Sequence, residues 1–137
     1  MGRIMAIDYG QRRTGVAVSD PAKIIAGGLD TVETPRVQEF IAKYMEREPV
    51  ERIVVGKPTT MSGQPSENAA RVNEFVKALK RKVGVPVELY DERFTSVLAH
   101  RAMIDGGLRK MERRDKALVD KISATIILQS YMERIKR

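Results

Sequence analysis

IMAIDYGQRRTGVAVSD, residues 4–20, begins as a plain core strand and changes character at an aspartate. Ile4 to Ile7 are apolar, Asp8 ends the run, and Thr14 to Ser19 return to small and β-branched residues. The intervening Tyr9-Gly10-Gln11-Arg12-Arg13 has the length and composition of a hairpin connection. A carboxylate at the mouth of a buried strand is costly unless something compensates for its charge.

Working outward from the hairpin, Asp20-Pro21 supplies a turn and Ala26 to Glu33 a third strand. Thr34-Pro35 offers an N-cap with proline at the first helical position, and Val37, Phe40, Ile41, Tyr44 and Met45 recur at helical spacing as far as Glu48. Arg52 to Val55 reads as a short apolar strand ending at Gly56-Lys57-Pro58. Ser66 opens a second helix with a stripe of Ala69, Val72, Phe75, Val76 and Leu79. Val85 to Tyr90 is a strand that ends in an acidic pair, Asp91-Glu92. A helix from Ser96 to Met103, a basic loop from Gly106 to Arg114, and a last helix from about Lys116 to Ile135 complete the order.

Three strands followed by helix, strand, helix, strand and helix predict an α/β fold. An antiparallel meander would be extended by parallel βα units into a five-stranded mixed sheet with helices on both faces. Ligands of such sheets gather at the carboxyl ends of the strands, where Asp8, Gly56 and Asp91-Glu92 all stand. The 137 residues predict a single domain, residues 1–137, that buries about two-thirds of its extended-chain surface. With no cysteine, no leader-like N-terminus and no apolar run of membrane-spanning length, a soluble cytoplasmic protein with no membrane partner is expected.

Asp120 supplies a third acid. Ser123, Ala124, Ile127, Leu128 and Tyr131 follow it on one helix face, so this carboxylate shares the buried stripe. Acids gathered at a core edge repel one another unless a cation lies among them, and hard oxygen ligands suit Mg²⁺ or Mn²⁺. Two such ions about 4 Å apart can activate a water and stabilise the leaving oxygen of a phosphodiester. A zinc or cysteine-nucleophile site is excluded by the absence of Cys and the single histidine, His100, to which no catalytic role falls. Each acid also has an ordinary use: Asp8 in a turn, Glu92 paired with Arg93 or Arg101, Asp120 paired with Lys116. The arrangement of two strand ends and one buried helix face favours a site.

Twenty-five Lys and Arg against eighteen Asp and Glu give a net charge of +7, which makes a polyanion a natural partner. Arg109, Lys110, Arg113, Arg114 and Lys116 lie just before Asp120, and Arg12 and Arg13 just after Asp8, so cations adjoin acids twice. Phosphate contacts hold a strand while the acids work on one linkage. Aromatics, at 5 %, are too few for a base-stacking platform. Gly56 to Gly63 lacks the spacing and the Lys-Ser/Thr ending of a Walker loop.

Asp8-Tyr9-Gly10-Gln11-Arg12-Arg13-Thr14-Gly15-Val16-Ala17-Val18-Ser19-Asp20 resembles the opening motif of the YqgF family, also called RuvX, of the ribonuclease H-like superfamily. Val55-Gly56-Lys57-Pro58 with Gly63, Asp91-Glu92-Arg93-Phe94-Thr95-Ser96, and Lys116 and Asp120 ahead of Ala124 are similar to its later motifs in the same order. The resemblance implies a ribonuclease H-like fold and a metal-dependent nuclease acting in 5′-end maturation of 16S rRNA within a ribosome precursor. By motif match, Asp8, Glu92 and Asp120 form the acidic triad that holds Mg²⁺ or Mn²⁺, with Asp91 an open alternative to Glu92. Arg12, Arg13, Arg93, Arg113, Arg114 and Lys116 are the expected nucleic-acid contacts. The sequence departs at Ser123, where the family often has alanine. Competing readings are a Holliday junction resolvase on branched DNA, a non-catalytic nucleic-acid-binding assembly factor, and a sugar-kinase-like phosphotransferase, which would need two such domains. A monomer or weak homodimer is expected.

Overall fold

The computed structural model describes residues 2–58, 68–95 and 116–136, with the backbone alone for Lys116 and Ala117. Five strands, β1 (Arg3–Asp8), β2 (Arg13–Ser19), β3 (Ala26–Glu33), β4 (Val50–Lys57) and β5 (Val87–Asp91), form one sheet in the order β3-β2-β1-β4-β5. β1, β2 and β3 run antiparallel, whereas β4 and β5 add in parallel to β1. Among the described residues three helices, α1 (Val37–Arg47), α2 (Ala69–Lys82) and α3 (Lys116–Ile135), cover the two faces.

The alternation of strand residues sorts the core into two layers. Met5, Ile7, Val16, Ile53, Val55 and Val87 pack with α1 and α2 through Val37, Ile41, Tyr44, Val72, Phe75, Val76 and Leu79. On the opposite face Ile4, Ala6, Ala17, Val54 and Tyr90 meet Ala124, Ile127, Leu128, Tyr131 and Met132 of α3. Ala6 and Ala17 in this second layer, with Gly15 and Gly28 beside them, let α3 lie close to the strands. Each fully buried Ile or Leu contributes about 1.5–3 kcal/mol by leaving water.

Several of the predicted elements appear with shifted ends. β4 extends from Val50 to Lys57 instead of Arg52 to Val55, because its ladders to β1 and β5 continue on both sides. β5 starts at Val87 instead of Val85: the Pro86 carbonyl accepts from the Ile53 N–H at 2.9 Å, but proline has no N–H to return. The expectation that Thr34 caps α1 is corrected. A 3-10 turn over Thr34–Arg36 precedes the helix with no side-chain cap, since the Thr34 hydroxyl donates to Gly10 O (2.7 Å) and meets Thr14 Oγ1 (2.9 Å). Thr34 thus ties the β1–β2 turn to the end of β3. The Ser66 start of α2, the Ser96–Met103 helix and the Gly106–Arg114 loop lie outside the described residues.

A polar clamp fixes the far end of α3. Arg52 Nη1 donates to Tyr131 Oη at 2.5 Å, the Tyr131 hydroxyl donates to Glu88 Oε1, and Tyr90 and Ser130 share a 2.9 Å hydrogen bond. Burial, followed by the hydrogen bond to Glu88, pushes the Tyr131 phenol above its usual range. Among the described residues no helix is long and apolar enough to cross a membrane.

Candidate active site

Asp8 is the last residue of the central strand, and parity with Ile4 and Ala6 sends its side chain to the α3 face. On β2 its partner is Gly15. On β4 it stands one residue past the Ile7–Val55 pair, level with Gly56. Glycine therefore flanks Asp8 on both sides.

Each glycine is crossed by an element that carries another acid. A Cβ at Gly15 would lie 2.0 Å from the Asp120 carbonyl oxygen, so the α3 backbone rests directly on β2 there. A Cβ at Gly56 would meet Ile127 Cδ1 at 2.7 Å and Glu92 Oε1 at 3.2 Å. Any side chain at either position would hold α3 or the Glu92 carboxylate away from the sheet. Asp8, Glu92 and Asp120 are thus brought to one face and one edge.

The acids differ in how they are held. Asp8 is 7 % and Glu92 2 % exposed, a degree of burial at which an ionised carboxylate requires compensating partners. Asp120 is less buried and accepts from Arg13 Nε at 3.0 Å. Asp91 caps the 3-10 turn over Glu92–Phe94, accepting from the Arg93 N–H at 2.9 Å, and pairs with the Arg93 guanidinium at 2.8 Å. The hydrogen bond to Asp91 holds the Arg93 guanidinium above its already high range. Within the acidic pair, Asp91 shapes the turn and Glu92 points inward. Of the ordinary pairings considered for these acids, Arg93 turns to Asp91, while Arg101 and the Lys116 side chain lie outside the described residues.

Of the expected nucleic-acid contacts, Arg12 is exposed in the β1–β2 turn, while Arg13 and Arg93 hold acids. Lys116 opens α3. Arg113 and Arg114, with Arg109, Lys110 and His100, lie outside the described residues. Sequence reasoning overlooked the structural work of Gly15 and Gly56, although glycine inside otherwise β-branched strands signals a close approach. Among the described residues no three acids stand close enough to hold one ion together, which fits Asp120 turning to Arg13.

The fold is shared with solved structures. The Thermus thermophilus RuvC structure in complex with a Holliday junction substrate matches with a TM-score of 0.58 at 15 % identity, covering 98 % of this chain and 96 % of that one. The second RuvC structure gives 0.56. The fold is therefore ribonuclease H-like. A family model described as "RuvX: Holliday junction resolvase" matches residues 2–134, and the chain belongs to that family. A Phocaeicola vulgatus protein named "Putative pre-16S rRNA nuclease" is 61 % identical over 137 residues, covering 99 % of each chain. A Bacteroides fragilis protein of the same name is 57 % identical over 134 residues, covering 97 % of each. At this likeness over the full length, the chain is a nuclease.

Proposed function

We propose that the protein is a cytoplasmic Mg²⁺- or Mn²⁺-dependent endonuclease that cleaves the precursor of 16S rRNA near its 5′ end, within a single domain. The observation that carries this reading is the placement of Asp8 between Gly15 and Gly56, each overlain by an element bearing another acid. The names of the relatives with 61 and 57 % identity support RNA as the substrate.

The donor set suits a hard divalent cation: carboxylate oxygens on one face, in a chain with no cysteine. A buried serine hydroxyl on the same helix, Ser123 Oγ, has no hydrogen-bond partner, as expected beside a ligand or water. Asp8 and Glu92, with Asp120, would hold the ion, which when bound supplies charge for activating water and for the leaving oxygen. The chain's own residues do the rest. The sheet fixes Asp8, the 3-10 turn aims Glu92 inward, and the exposed Arg12 draws the phosphate backbone to the edge, with Arg113, Arg114 and Lys116 as the further contacts that the sequence proposes. Arg93 keeps Asp91 out of the acid pair.

Arg13 neutralises Asp120 in this arrangement. Replacing it with glutamine removes the Arg13–Asp120 ion pair. With both partners partly exposed, Arg13→Gln is expected to lower stability by about 0.5–1 kcal/mol in EDTA. Excess Mn²⁺ should narrow that gap. Thermal melts with and without metal check this; a gap unaffected by Mn²⁺ separates Arg13 from the site.

The substrate reading is tested by offering the purified protein a 16S precursor RNA and a four-way DNA junction with Mn²⁺. Cleavage of the RNA near the mature 5′ end supports the proposal. Cleavage of the junction alone replaces it with a resolvase, and cleavage of neither under any divalent ion favours a non-catalytic assembly factor.

A further inference from the structure

Ser123 is 1 % exposed, and its Oγ is buried with no hydrogen-bond partner. A helical serine ordinarily returns its hydroxyl to the carbonyl four residues back, as Thr125 does to Lys121 at 2.9 Å. Ser123 leaves the Val119 carbonyl unused in this way. A hydroxyl in so dry a place calls for an explanation.

Its position supplies one. Asp120, one turn before it, rests on Gly15 of β2, and Ile127, one turn after it, rests on Gly56 of β4. The seven residue steps from Asp120 to Ile127 rise about 10 Å, the width of two strand spacings, so α3 crosses β1 midway. Ser123 shares the stripe of Asp120 and Ile127, whereas Lys121 and Thr125 lean toward Gly28 of β3. Ser123 therefore lies over β1, the strand that ends in Asp8, one turn from Asp120 on α3.

We propose that Ser123 is an oxygen donor of the acid site, holding the divalent ion beside Asp8 together with the carboxylates. This rests on the metal-dependent reading of that edge and adds a residue to it. A neutral hydroxyl among carboxylates supplies a ligand without adding repulsion, and being fixed on the buried stripe of α3 it costs little further ordering on binding.

The test is calorimetric titration of Mn²⁺ into metal-free wild type, Ser123→Ala and Ser123→Thr, with thermal midpoints in EDTA. Ser123→Ala should weaken Mn²⁺ binding about tenfold, the usual lower bound for losing a supporting group at a metal site. Its metal-free midpoint should equal or exceed that of wild type, because a buried hydroxyl without a partner has been removed. Ser123→Thr, which keeps the hydroxyl, should bind nearly as wild type. Equal affinity in wild type and Ser123→Ala overturns the proposal while leaving the acid site intact. Failure of wild type itself to bind Mn²⁺ overturns both.

Discussion

Asp8→Asn should leave a folded protein that cleaves RNA at least a few hundred-fold more slowly than wild type. The substitution keeps shape and volume but removes the charge at the centre of the three-acid edge, where Asp8 is 7 % exposed. Losing several kcal/mol of charge stabilisation at a phosphodiester transition state, about 3–4 kcal/mol, corresponds to that factor. Stability should move the other way, because a buried carboxylate replaced by a neutral amide no longer repels Glu92. Single-turnover cleavage paired with a thermal melt separates the two effects. Slow cleavage by a protein that melts at or above the wild-type midpoint assigns Asp8 to chemistry, and slow cleavage by one that melts well below assigns it to the fold.

Gly15→Ala should be the most damaging glycine-to-alanine change among the described residues. The added carbon would lie 2.0 Å from Asp120 O and 2.5 Å from Asp120 C, both backbone atoms of a helix packed along its length. Neither partner can rotate away, so α3 must lift or β2 must bend. Overpacking of this kind costs about 3 kcal/mol, which lowers the midpoint of a domain of this size by roughly ten degrees. Because the displaced residue is Asp120, residual activity should fall further than stability alone requires. Gly84→Ala is the control: a Cβ there meets nothing within 4 Å, and the midpoint should hold or rise slightly.

The hairpin over residues 4–20 was readable because its apolar run stops at Asp8 and resumes at Thr14, and the pleat then dictates which residues face α3. α3 and β3 have the ends the sequence predicts, Lys116–Ile135 and Ala26–Glu33. Helix and strand ends set by tertiary partners were not readable. Thr34 has the chemistry of a cap and is taken by Gly10 and Thr14 from a distant turn. The same limit applies at the site. Strand ends and a shared helix stripe pointed to Asp8, Glu92 and Asp120, but Arg13 looks like a phosphate contact until β2 and α3 pack together, 107 residues apart in the chain. The choice between Asp91 and Glu92 likewise depends on a turn geometry that gives the first to Arg93 and the second to the interior. Ser123 could be seen as a residue of the buried stripe and a departure from the family's alanine, but not as a hydroxyl without a partner. Its interest comes from burial without a partner, which no sequence pattern records.

The central claim is that Asp8, Glu92 and Asp120 serve one divalent ion at the end of β1. Anomalous diffraction from crystals grown with Mn²⁺ tests it directly. The account predicts an ion peak between β2 and β4 above Asp8, with Asp8 and Glu92 oxygens within about 2.2 Å and Asp120 released from Arg13. A protein saturated with Mn²⁺ that shows no peak at that edge, with Asp120 still bound to Arg13, would contradict it.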